Sequence, residues 1–156
     1  MRYNFLEMLE EVFTDEYFMG KALDLALQAA EEGEVPIGAV VVYGNQIIGK
    51  GYNQTERLQD VTAHAEMLAI TAASDYLNSK YLTDCTLYVT IEPCMMCAGA
   101  IKWARLNKIV WGAAEPKFGY SNQVPELLGK TELKSGVLED ACAEVMRSFF
   151  KSKRGK

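Results

Sequence analysis

A chain of 156 residues, 49% hydrophobic and 24% charged, is long enough for one domain with a genuine core and has an ordinary globular balance. Its net charge of −5 argues, taken alone, against a nucleic-acid partner. No apolar run approaches the length of a membrane span and the first residues lack the parts of a signal peptide, so a cytoplasmic protein with no membrane partner is expected.

Residues 4–12 predict a short preliminary helix within an N-terminal extension, 1–13. Thr14 then suits an N-cap, with Asp15 and Glu16 in the first turn; Phe18, Ala22, Leu25, Ala26 and Ala29 mark one helical face, and Gly33 ends it. The run PIGAVVVYGNQIIGKGY predicts two strands joined at Gly44-Asn45. A polar loop from Asn53 to Asp60 leads to a helix starting near Thr62. A buried strand is expected over Thr86–Ile91, a helix from Pro93-Cys94, a strand over Lys108–Ala113, and a final helix over about Leu138–Lys151. Helices and strands in this order predict a single α/β layered domain spanning 1–156, whose ligand sites collect where strands end and helices begin. Charge is unevenly spread. Residues 1–100 carry 5 basic and 15 acidic side chains, residues 101–156 carry 11 and 6, and the end of the last helix, 147–156, is basic. Such an end can be a local basic face or simply cations suited to a helix dipole.

Two motifs carry chemistry. The first is VTAHAEM, containing His64, the only histidine, and Glu66. The second is IEPCMMCAGAI, in which Cys94 and Cys97 fall on one turn of a predicted helix. Pro93 suits a helix start, and a helix N-terminus favours the thiolate that binds metal. On a regular helix His64 and Glu66 would differ by about 200°, yet side chains at a helix N-terminus lean back toward that end and can converge beyond it. One imidazole and two thiolates leave a fourth tetrahedral position for water, the pattern of a catalytic zinc site. A closed structural site would need Cys85 or Cys142, neither of which has a paired spacing; a redox pair and a core histidine beside inert thiols are the other readings. The acid beside the ligands favours catalysis.

The order H-A-E followed by P-C-x-x-C matches the signature of zinc nucleobase deaminases. Together with GEVPIGAVVV, GKGYNQ, TAHAEMLAI, LYVTIEPCMMCAGAI, KIVWGAAEPKFG and GVLEDACAEVMRSFFKSKR, the chain from Asp15 to Arg154 resembles bacterial tRNA-specific adenosine deaminases of the cytidine-deaminase-like superfamily. The resemblance implies a three-layer α/β/α sandwich around a mixed sheet of about five strands. It also implies a homodimer with one Zn²⁺ per subunit, held by His64, Cys94 and Cys97, and Glu66 as the proton shuttle. The implied reaction converts the wobble adenosine in a tRNA anticodon stem-loop to inosine. Carried over residue by residue, Asn53 would hydrogen-bond the flipped base, Pro36 and Ile37 would line its pocket, and the Glu92 carbonyl would meet the amine. Phe149 and Phe150 would contact the anticodon loop, and Lys117, Lys151, Lys153 and Arg154 its phosphates. Adjacent aromatics cannot share one helical face, so one of the two phenylalanines is expected in the core. Glu115 stands where the family has Asp, which shifts a contact to ribose, and the segment from Tyr120 to Thr131 is shorter than in well-known members. The rival readings are a deaminase of free guanine, cytosine or deoxycytidylate, and a non-catalytic zinc-stabilised RNA-binding module.

Overall fold

The computed structural model of the protein describes residues 4–155. Residues 1–3 of the expected extension and Lys156 of the basic terminus lie outside the described residues. Helix α1 (Phe5–Val12) is capped by the Asn4 side chain, which accepts from the Leu6 amide, and buries none of its residues. Helix α2 (Asp15–Glu31) starts at Thr14, whose hydroxyl accepts from the Tyr17 amide 3.1 Å away.

The hairpin of β1 (Gly38–Tyr43) and β2 (Gln46–Tyr52) turns at Gly44, where φ is +53°, a conformation open to glycine without strain. A single turn, α3 (Thr55–Leu58), precedes α4 (Ala65–Leu77). Next come β3 (Cys85–Ile91), α5 (Met95–Ala104) and β4 (Lys108–Ala113). The turn α6 (Tyr120–Gln123), the three-residue β5 (Glu132–Lys134) and α7 (Glu139–Arg154) complete the chain. The loop before α7 thus holds a strand that has no periodic signal of its own.

The sheet runs β2-β1-β3-β4-β5. β1 is antiparallel to β2 and β3, whereas β3, β4 and β5 are mutually parallel. This is the expected three-layer sandwich with a mixed five-stranded sheet. Alternation along the strands splits the core in two. Ala39, Val41, Leu87, Val89 and Ile109 face the alanines of α4 and the Ala98, Ile101 and Ala104 face of α5. Val40, Val42, Tyr88 and Val110 face Phe18, Met19 and Ala22 of α2 and Cys142 of α7.

Helix α4 sits on β2 with almost no side chain between them. A Cβ on Gly51 would fall 2.8 Å from the Ala69 amide nitrogen and 3.0 Å from Leu68 Cβ; one on Gly49 would fall 2.8 Å from the Ala73 nitrogen. These glycines let the helix backbone press directly on the strand, and so set the height of its N-terminus over the end of the sheet.

Candidate active site

Both metal-ligand candidates at helix starts occupy N-cap positions. His64 caps α4 at φ −78°, ψ 153°, and Cys94 caps α5 at φ −74°, ψ 173°. Being extended, His64 is outside the helical turn, so the 200° separation from Glu66 does not apply. Pro93 precedes the N-cap rather than opening the helix. The His64 side chain makes no capping hydrogen bond to its own helix. For α4 the task passes to Asn53, whose Oδ1 accepts from the buried Ala65 amide at 2.8 Å. That leaves the imidazole free to turn toward the cysteines.

His64 Nδ1 lies 3.6 Å from Cys94 Sγ and 3.5 Å from Cys97 Sγ. Metal–nitrogen and metal–sulfur bonds of zinc length at a tetrahedral angle require about 3.6 Å between donors. The three side chains therefore fit a tetrahedral metal ion with a fourth position left open, and they are brought within 4.8 Å of one another. Neither Cys85 nor Cys142 joins them; both are buried in the two halves of the core. Hydrogen bonding from Cys97, then from His64, draws the Cys94 thiol down to about 4, against the opposing effect of burial. The Cys97 thiol is pushed up, chiefly by its bond to Cys94 and by burial. His64 is raised by its hydrogen bond to Cys94. An anionic Cys94 beside a helix N-terminus is the state a cation would find.

Glu66, second residue of α4, is 3% exposed, and its Oε1 is the one buried side-chain polar atom without a partner among the described residues. Burial is the main reason its carboxyl rises from 4.5 to about 7. A buried acid with one oxygen left unpartnered is costly to keep. Its value is that it can hold or release a proton near neutrality.

The rim of the site comes from three loops. Pro36 is buried, Ile37 half-buried, and the Ile37 carbonyl accepts from the Asn53 amide at 3.1 Å. Since Asn53 Oδ1 serves Ala65, its Nδ2 is the part left to meet a ligand. Glu34, not singled out in the sequence, is buried and accepts from the Glu56 and Arg57 amides at 3.0 and 2.8 Å, tying the loop after Asn53 to the Pro36 segment. The Glu92 side chain plays a similar part. Its carboxylate accepts from the Glu115 amide (3.3 Å), the Ser121 amide (3.1 Å) and the Ser121 hydroxyl (2.6 Å). With Tyr120 N–H donating to the Pro93 carbonyl, and Gly119 bridged to Cys94, this laces residues 115–121 over the Cys94 side of the site. Glu115 is turned inward on its own loop: Oε1 accepts from the Lys117 and Phe118 amides at 2.8 and 3.1 Å.

At the end of α7 the expectation of one core phenylalanine is wrong. Phe149 is half-buried and Phe150 is 42% exposed, and their rings meet edge to face at 5.3 Å. Neither enters a core cluster; Phe149 instead lines a groove with Leu23, Leu27 and Ala30 of α2. Both rings, with Lys153, line a groove of about 340 Å³ shared with Glu34, Val35, Thr55 and Glu56. A second groove of about 490 Å³ joins Phe150, Arg147 and Arg154 to Glu115 and Pro116. Lys117, Lys151, Lys153 and Arg154 are exposed and enter no salt bridge among the described residues. Lys153 and Arg154 line these grooves, and none of the four belongs to the His64 cluster.

The chain is similar to known proteins over most of its length. A family model described as MafB19-like deaminase matches residues 13–154. The tRNA-specific adenosine deaminase of Bacillus subtilis (strain 168) is 45% identical over 148 residues, which cover 91% of this chain and 92% of that protein. The chloroplastic tRNA(adenine(34)) deaminase of Arabidopsis thaliana is 44% identical over 158 residues, taking in 87% of this chain but 12% of that much longer protein. A structure solved in work on A-to-I editing by tRNA:A34 deaminases at the wobble position of transfer RNA matches with a TM-score of 0.78 and 40% identity, covering 83% of this chain and 98% of that one. The guanine deaminase of Bacillus subtilis matches with a TM-score of 0.64 and 39% identity, covering 69% and 73%.

Proposed function

The chain belongs to the MafB19-like deaminase family, and from that premise we propose that it hydrolytically deaminates the wobble adenosine of a tRNA anticodon loop, in the cytoplasm, giving inosine and ammonia. The observation that carries the chemistry is the unpartnered Glu66 Oε1 beside the His64, Cys94 and Cys97 donors. The donor set suits Zn²⁺, one per subunit, which when bound supplies a water made nucleophilic at neutral pH. Glu66 takes one proton from that water and passes it to the ring nitrogen next to the reacting carbon. It then takes the remaining proton of the added hydroxyl and passes it to the departing amine, so that both water protons are accounted for. Asn53 Nδ2 donates to the base, Pro36 and Ile37 pack on it, and the Glu92 carbonyl accepts from the amine. The two α4 and α5 N-termini favour negative charge developing between them.

An RNA substrate rather than a free base is supported by the unpaired cations and exposed aromatic at the rim, features that a small base has no use for. Phe149, Phe150, Lys117, Lys151, Lys153 and Arg154 are assigned to the anticodon loop, and Glu115 reaches the ribose through the turn that it holds. Homodimer formation is part of the same proposal. It is supported by an apolar stripe on α5, where Met95, Gly99 and Trp103 recur every four residues and Trp103 is 82% exposed.

The likeness to guanine deaminase supports a second reading, that of a free-base enzyme. One assay decides between them: ammonia release from an adenosine-bearing anticodon stem-loop against guanine, cytosine and deoxycytidylate. The stem-loop should be turned over with a KM that rises steeply with salt. Faster turnover of guanine would reverse the assignment.

A further inference from the structure

Phe118 is 56% exposed on the loop between β4 and α6, and it belongs to neither core cluster. Its backbone is nonetheless held firmly. Its amide donates to Glu115 Oε1, and the next residue, Gly119, is bridged to Cys94 and packed against the Glu92 carboxylate. One step along the chain plus one bridge places the Phe118 Cα within about 9 Å of the Cys94 Cα. The Lys117 ammonium sits 5.4 Å from the ring centroid. The same loop borders, through Glu115 and Pro116, the groove that contains Phe150, Arg147 and Arg154.

From this geometry we infer that Phe118 is a substrate-binding residue: its ring is a platform on which the base next to the target nucleotide stacks, with Lys117 beside the intervening phosphate. The inference rests on the RNA reading above. A flipped base pulls its neighbour out of the helical stack, and an exposed ring at the lip replaces that lost stacking whatever the base's identity. An exposed phenylalanine held by a capped turn, beside a free cation and one bridge from a metal ligand, is the arrangement such a task requires.

The test uses the full protein with zinc bound, and compares wild type, Phe118→Ala, Phe118→Leu and Phe118→Trp on an anticodon stem-loop. Alanine and leucine should each raise KM about tenfold, the loss expected for one stacked base, with unchanged zinc content and little change in kcat. Tryptophan should restore KM. Quenching of 2-aminopurine placed beside the target adenosine should accompany binding to wild type and tryptophan, and be lost in the other two. If wild type turns over the stem-loop and alanine matches its KM, the platform is refuted while the function stands. If leucine alone matches wild type, aromatic stacking is refuted. If wild type ignores the stem-loop, the RNA reading and this inference fail together.

Discussion

Replacing Asn53 separates two tasks that one amide performs. Its Oδ1 takes the Ala65 hydrogen bond at 2.8 Å in a buried setting, directly behind His64. Alanine leaves that amide, the first of α4, buried without an acceptor, since His64 turns its ring away from the cap. The cost of one such orphaned group is about 1–3 kcal/mol, comparable to the loss of a good N-cap. For a chain of this size about 2 kcal/mol lowers Tm by about 4–8 °C. Aspartate keeps the acceptor and suits the helix dipole, but it cannot donate to a base. Asn53→Ala should therefore lose stability, zinc retention and turnover together, whereas Asn53→Asp should keep most of the first two and lose turnover. Thermal melts, zinc content by atomic absorption and ammonia release on the same preparations make the comparison. A Tm for Asn53→Ala within 1 °C of wild type would show that the amide does not hold α4, and an active Asn53→Asp would remove it from base recognition.

Glu66→Gln should keep the fold and zinc while abolishing ammonia release; retained turnover would refute its proton role. In the metal-free protein the same change should alter pH dependence. A carboxyl raised from 4.5 to about 7 gives its full stability below 4.5, and that stability is lost as pH rises through 7, up to about 3 kcal/mol. The variant should thus gain on wild type between pH 5 and 8, and a constant difference across that range would contradict the burial argument. Cys94→Ser should lose zinc, and an unchanged metal content would sink its assignment as a ligand. Gly51→Ala forces a Cβ against the α4 backbone, which should cost about 1–3 kcal/mol or more and lower kcat by shifting His64 and Glu66 together; a wild-type Tm and kcat would show that the seat can yield.

The sandwich was legible because its signals are local. The run of three valines in β1, the glycine turn at Gly44 and the N-cap at Thr14 each act within a few residues. The His64, Glu66, Cys94 and Cys97 set was legible for a chemical reason: few other tasks need those side chains at that spacing. What escaped depends on distant partners. β5 is three exposed residues that become a strand only through pairing with β4. Glu34 and Glu92 look like any solvated acid until the folded chain delivers backbone amides to their carboxylates. The Asn53 cap lies twelve positions from the amide it serves, far outside any local capping pattern. Phe149 and Phe150 misled because helical periodicity says which residues share a face, but not what that face packs against.

The glycine seat between β2 and α4 divides the molecule by its tolerance of change. His64 and Glu66, proposed for metal and proton chemistry, hang from a helix resting on bare backbone, where an added side-chain atom displaces both. Residues that would choose the substrate, Asn53 apart, stand on the 34–37, 55–56 and 115–121 loops and on the end of α7, away from that seat. Variation in such a scaffold therefore alters what is deaminated long before it alters how. Directed evolution of this chain should find new substrates in those loops, and dead enzyme in the seat.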